Sequence, residues 1–211
     1  MASENASATP QYEPLPWTRS PLPKSIGLIP KNEADDLLEK FDALVERRAT
    51  PADDWGREAG RQIYWPCDAS RVRVLPDGIL FLEEEGPEHA EKLEAKLKVL
   101  FPRGVAVWGI GQSKHGVFNG AYDATLRHWV KAELIFSPVA VMSLDASFFM
   151  VCDEQLRFTV LGGAPHVLSE VDEAFGGVAT LRLLFNQYVD DCGIGFGDPD
   201  RQWARGHLTS W

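Results

Sequence analysis

Apolar residues recur at three- and four-residue intervals in some stretches of the chain and alternate or run together in others, which divides it into helices and strands. Ala34, Leu37, Leu38, Phe41, Leu44 and Val45 follow helical spacing. Asn32 stands where an N-cap belongs, and Glu33, Asp35 and Asp36 fill the first turn. Arg47 and Arg48 suit a helix C-terminus before Thr50-Pro51. A second helix is expected from Pro87, with Leu93, Leu97 and Leu100 as its buried stripe and Glu88–Lys92 and Glu94–Lys98 as i,i+4 pairs. Phe101-Pro102-Arg103-Gly104 ends it. Pro165 opens a third, with Leu168, Val171 and Phe175 inside, broken at Gly176-Gly177. Val178, Leu181, Leu184, Phe185 and Tyr188 continue as a fourth, closed by Cys192-Gly193.

Strand patterns lie between these helices. Arg71 to Leu75 and Ile79 to Glu83 flank Pro76-Asp77-Gly78, which reads as a hairpin. Val105 to Ile110 reads as a buried strand, followed by a loop punctuated by Gly109, Gly111, Gly116 and Gly120, with room for a short helix before Trp129. The densest run of strand formers spans Trp129 to Gly163. Its start alternates, with Val130, Ala132, Leu134 and Phe136 set against Trp129, Lys131, Glu133 and Ile135, as in a strand with one wetter face. Val139 to Leu144 and Phe148 to Cys152 are more uniformly apolar, and Leu156 to Leu161 follows the turn Asp153-Glu154-Gln155. Such short connections favour an antiparallel meander. Residues 50 to 70 and the tail after Cys192 read as irregular.

The expected architecture is therefore α+β: one domain over residues 31–211, its mainly antiparallel sheet covered by about four helices. Residues 1–30 hold Pro10, Pro14, Pro16, Pro21, Pro23 and Pro30. This density favours an extended arm, whose later part Trp17, Leu22, Ile26 and Leu28 are placed to pin down.

Composition narrows the function classes. The 211 residues are 45% hydrophobic, enough for a substantial core, and the formal net charge is −10. No cluster of Lys and Arg makes the basic face that nucleic acid requires, so no nucleic-acid partner is expected. A basic protein partner suits the charge; simple solubility is the other reading. Cys67, Cys152 and Cys192 are odd in number and contain no CxxC, which points to a reduced, cytoplasmic setting. MASENASATP lacks the features of a secretory signal, and the run from Leu134 to Leu144 is broken by Ser137-Pro138 and too short for a membrane span.

No catalytic motif emerges. The segment from Asp190 to Asp200 departs from the calcium-loop pattern, and its glycines lack the strand and helix that frame a phosphate cradle. His89, His115, His128, His166 and His207 form no HxH or HExxH, so neither metal nor cofactor is expected. Cys152, with His115 or His128, is a conceivable nucleophile, but it follows Phe148-Phe149-Met150-Val151 and reads as a core cysteine. The polar loop from Gly111 to Gly116 either lines a pocket or simply connects. Trp17, Trp55, Trp65, Trp203 and Trp211 fall in loops or tail and either fill core edges or form an interface.

Acidic residues concentrate late: Asp153 to Asp200 contains nine acids against Arg157 and Arg182. Asp190 and Asp191 fall at a helix C-terminus, where the macrodipole disfavours anions by about 0.3–1 kcal/mol each; a cation, a metal or a basic partner surface would offset this, and a solvated loop is the alternative. The candidate partner-binding residues are Asp190, Asp191, Asp198, Asp200, Trp203, Glu170, Asp172 and Glu173.

In its size, acidity, α+β pattern and lack of catalytic motifs, the region from residue 31 to 211 resembles the immunity proteins of bacterial toxin systems. No motif carries the likeness and no residue is transferred by it. The resemblance implies a non-enzymatic protein that blocks the active site of a cognate toxin, possessing an acidic surface attractive to a basic one. Two other readings stand beside it: a small enzyme with a site assembled from His115, His128, Cys152 and acids, and a structural or adaptor domain using the Pro-rich arm.

Overall fold

The computed structural model describes residues 21–49, 62–76, 87–134, 137–153, 158–191 and 198–207. They form an α+β fold around a seven-stranded antiparallel sheet. Its strands are β1 (Ile26–Leu28), β4 (Val72–Pro76), β5 (Val105–Gly109), β6 (Phe118–Gly120), β7 (Val139–Ser143), β8 (Phe148–Asp153) and β9 (Phe158–Gly163), in the order β1-β6-β5-β7-β8-β9-β4. The expected meander is present as β7, β8 and β9, and β5, β7, β8 and β9 are apolar and buried along most of their length. A two-stranded ribbon, β2 (Val45–Ala49) with β3 (Gln62–Pro66), stands beside the sheet.

Both faces of the sheet are covered. On one, α1 (Lys31–Leu44) places Ala34, Leu37 and Phe41 over Ala106, Trp108, Met142 and Phe149. Phe41 meets the rings of Trp108 and Phe149 edge-on, at centroid distances of 5.1 and 5.8 Å. On the other face, α2 (Pro87–Leu100), α3 (Ala124–Glu133) and α4 (Pro165–Ala174) bury Leu93, Leu97, Leu126, Val130, Val167 and Val171 against the alternate residues of the same strands. A third cluster packs α5 (Val178–Asp191) and α6 (Asp198–His207) with β3, β4 and β9 around Trp65 and Phe185.

Several expectations are corrected. Of the alternating stretch from Trp129, the part up to Glu133 is not a strand but the later part of α3, and Ile135 and Phe136 lie outside the described residues. Asp123 accepts a hydrogen bond from the Leu126 N–H at 3.0 Å, capping the helix, and Leu126, Trp129 and Val130 supply its buried stripe. A strand would have put Ala132 on the same face as Val130, yet Ala132 is exposed. The first helix stops at Leu44, before Arg47 and Arg48, because Val45 turns extended and the chain pairs with β3. There Arg47 lies over the Tyr64 ring and Arg48 pairs with Glu46. That helix begins at Lys31 with Pro30 as its N-cap, so Asn32 lies inside it and caps nothing. Part of the segment expected to be loop, Gln62–Pro66, is β3, and within the tail Asp198–His207 is helical, with Arg201 and Ala204 on its buried side. Pro199 is no obstacle there, since a first-turn N–H has no intrahelical partner to lose.

Ile26–Leu28, within the Pro-rich arm, is an edge strand on β6. β4 supplies the first arm of the expected hairpin, and its described partner is β9; the turn and second arm lie outside the described residues. Gly104 is required where the chain enters β5: its φ is +88°, and a Cβ there would sit 2.5 Å from the Gly120 carbonyl oxygen.

Candidate functional site

The acidic residues singled out in the sequence lie on different helices. Glu170, Asp172 and Glu173 lie on α4, before the Gly176-Gly177 turn, whereas Asp190 and Asp191 lie at the end of α5. Their partners differ as well: the acids of α4 face α2 and β4, and Asp190 faces α6.

Most of these carboxylates are already occupied by the fold. Arg73, on β4, grips Asp172 with two parallel hydrogen bonds, Nε to Oδ1 at 2.7 Å and Nη2 to Oδ2 at 2.9 Å, and both side chains are nearly buried. Lys96, on α2, donates to Glu170 at 2.7 Å and has Glu173 at 3.9 Å. These carboxylates hold the Lys96 ammonium above its ordinary pKa, with the Glu170 hydrogen bond the largest cause. Asp190 is tied to Arg205 of α6 at 2.5 Å, which joins the last two helices. Asp191 is exposed and forms no ion pair among the described residues. Trp203 is half-buried, edge-on to the buried Trp65 at 5.3 Å and stacked on His207 at 4.1 Å. Asp198 and Asp200 lie in the first turn of α6; their side chains are outside the described residues. So are Trp17, Trp55 and Trp211.

The nucleophile candidate is sealed. Cys152 is wholly buried on β8, where its sulfur receives the Thr159 hydroxyl at 3.5 Å. His115 is buried, while His128, His166 and His207 are exposed. Among the described residues, no three His, Cys, Asp or Glu side chains gather to hold a metal ion. Nor is any described helix long and apolar enough to cross a membrane.

A site absent from the sequence reading lies at the other side of the sheet. A cavity of about 340 Å3 opens between the start of α1 and the β1–β6 edge. Gly27 and Asn119, paired across that edge, line it. Gly27 adds no side chain to it; a Cβ there would meet nothing within 4 Å. The Asn119 Oδ1 is shielded from solvent without a hydrogen-bond partner. Ile29 and Leu37 are apolar and buried, and Glu33, Asp36 and Arg103 stand exposed around the opening. Asp36 is held by Lys40 at 2.7 Å, whereas Glu33 and Arg103 form no ion pair among the described residues. Sequence reasoning missed Gly27, Asn119 and Arg103 because they come from separate segments, and no local pattern marks them as neighbours.

The outer face of α1 supplies the remaining charge. Asp35, Glu39 and Asp42 project opposite the buried stripe, all exposed and without ion pairs among the described residues. No protein family, curated protein or solved structure matches the chain.

Proposed function

We propose that the protein is a non-enzymatic binding protein that neutralises a basic protein partner by covering it with an acidic surface, in the manner of an immunity protein acting on a cognate bacterial toxin. The observation that carries this reading is the distribution of exposed, unpaired carboxylates in a chain of net charge −10: Asp35, Glu39 and Asp42 on α1, and Asp191 at the end of α5. Carboxylates that no internal cation neutralises project a field that speeds encounter with a positive surface and disfavours acidic competitors. Asp190, although paired with Arg205, and Trp203 stand with Asp191 at the α5–α6 end. Asp198 and Asp200 are added to the proposal from the sequence alone. Glu170 and Asp172 contribute less, because Lys96 and Arg73 already compensate them.

Co-purification from the source cell, followed by titration of the isolated pair at increasing salt, tests the proposal. The expected partner is basic, and its affinity falls with salt. Reversal of Asp35, Glu39 and Asp42 to Lys, or of Asp190 and Asp191 to Lys, weakens it at least tenfold. An acidic partner, or affinity untouched by both reversals, would refute the reading.

A further inference from the structure

The cavity between α1 and the β1–β6 edge is independent of that surface and has a chemistry of its own. Its size lies within the range of roughly 300–1,000 Å3 that small-ligand pockets occupy, and it combines apolar walls with a few convergent polar groups. Opposite charges reach it from separate segments: the Glu33 carboxylate from the first turn of α1, and the Arg103 guanidinium from the turn before β5. Neither is neutralised by an ion pair among the described residues, and Lys40 removes Asp36 from the balance. The opening therefore carries one free anion and one free cation.

At the strand edge Gly27 leaves the cavity wall open, and its φ lies outside the left-handed region, so the absent side chain is not required by the backbone. Beyond the polar groups, Ile29, Leu37 and Leu144 offer an apolar surface.

The geometry points to a binding site for a small zwitterion of dipeptide size with apolar side chains. Its ammonium faces Glu33, its carboxylate faces Arg103, and its side chains lie against Leu37 and Leu144. A purely anionic ligand would meet Glu33, and a purely cationic one would leave Arg103 unanswered.

The test is titration of the full chain with leucyl-leucine, N-acetyl-leucyl-leucine and leucyl-leucinamide, followed by amide chemical shifts of residues 26–37 and 119 and by calorimetry. The zwitterion is expected to bind with saturable shifts confined to the cavity. Each blocked form is expected to bind at least tenfold more weakly, since each loses one charge-assisted hydrogen bond. Gly27→Phe fills the space and abolishes binding. Arg103→Gln, at an exposed position, keeps the fold and removes the preference for the free carboxylate over the amide. The inference is overturned if the zwitterion shows no saturable shift at about 10 mM, ten times a Kd of about 1 mM. Equal binding of all three probes, or undiminished binding by a folded Gly27→Phe chain, overturns it as well.

Discussion

Asp172 and Asp191 belong to the same acid-rich stretch of sequence, yet the fold gives them opposite duties. Asp172 is gripped at both oxygens by Arg73, ties α4 to the sheet edge and presents little charge to solvent. Asp191 stands in water with no ion pair among the described residues. The same contrast separates Glu94, clasped by Arg127 and Lys98, from Asp35 and Glu39 on α1. Formal charge counted along a chain is thus a poor measure of the charge a partner meets. Acids near basic residues of other elements become internal fasteners, and only the remainder are available for recognition.

The strongest way to break this contrast is to remove a fastener. Asp172→Ala is expected to destabilise the protein by about 3 kcal/mol, because Arg73, nearly buried, loses both hydrogen bonds to this carboxylate. For a domain of this size that corresponds to a fall in Tm of roughly 6–12 °C by calorimetry. The paired change Arg73→Met with Asp172→Leu is expected to recover most of the loss, as replacing both charges leaves no cation stripped of this carboxylate. A loss below about 0.5 kcal/mol in the single variant, the range of ordinary surface changes, would place Asp172 with the free acids.

Glu94 sharpens the comparison through pH. Burial pushes its carboxyl up, but the hydrogen bonds and charges of Lys98 and Arg127 outweigh this and hold it below its ordinary value of 4.5. Unfolded chain therefore binds the proton more readily than folded chain. The stabilisation is fully present above pH 4.5 and is lost as pH falls through the depressed folded value. Glu94→Gln is expected to lower stability at neutral pH by about 2 kcal/mol, since Arg127 is buried. It should also flatten the acid limb of a denaturant-midpoint profile. Asp145, lowered from 3.8 by Ser143 and Ser147 against the opposing effect of burial, keeps part of that limb. An acid limb as steep as that of the native chain would show that Glu94 does not act as a fastener.

The free acids give the smallest effects. Asp191→Asn and Glu39→Gln are expected to change stability by less than about 0.5 kcal/mol. The Asp190–Arg205 pair, largely exposed, is intermediate: a double-mutant cycle should give a coupling of about 0–1 kcal/mol that fades in high salt. A larger, salt-resistant coupling would move it among the fasteners.

Much of the fold was legible in the sequence because the signals are local. A 3.6-residue apolar period marks α2, α4 and α5, with proline opening the first two and Gly176-Gly177 dividing α4 from α5, and uniformly apolar runs mark β5, β7 and β8. The failures have physical causes as well. Trp129 to Leu134 fits both a strand and a helix period, and the deciding signal was the Asp123 cap upstream. Val45–Ala49 became a strand because β3 pairs with it, although its arginines would also suit a helix end. The candidate acids were read from density and, for Asp190 and Asp191, from a helix end, and neither carries information on which cations the fold brings to them.

The sequence by itself determined the α+β class, the central meander, the sealed position of Cys152 and the acidic balance, since period, composition and local turn chemistry are properties of neighbouring residues. Tertiary structure alone decided that Ile26–Leu28 closes the sheet edge on β6, that Arg73 and Lys96 compensate α4, and that Gly27, Asn119, Glu33 and Arg103 surround one cavity. Each of these depends on segments far apart in the chain meeting in space. Only the packing of the whole sheet and its covering helices fixes such meetings.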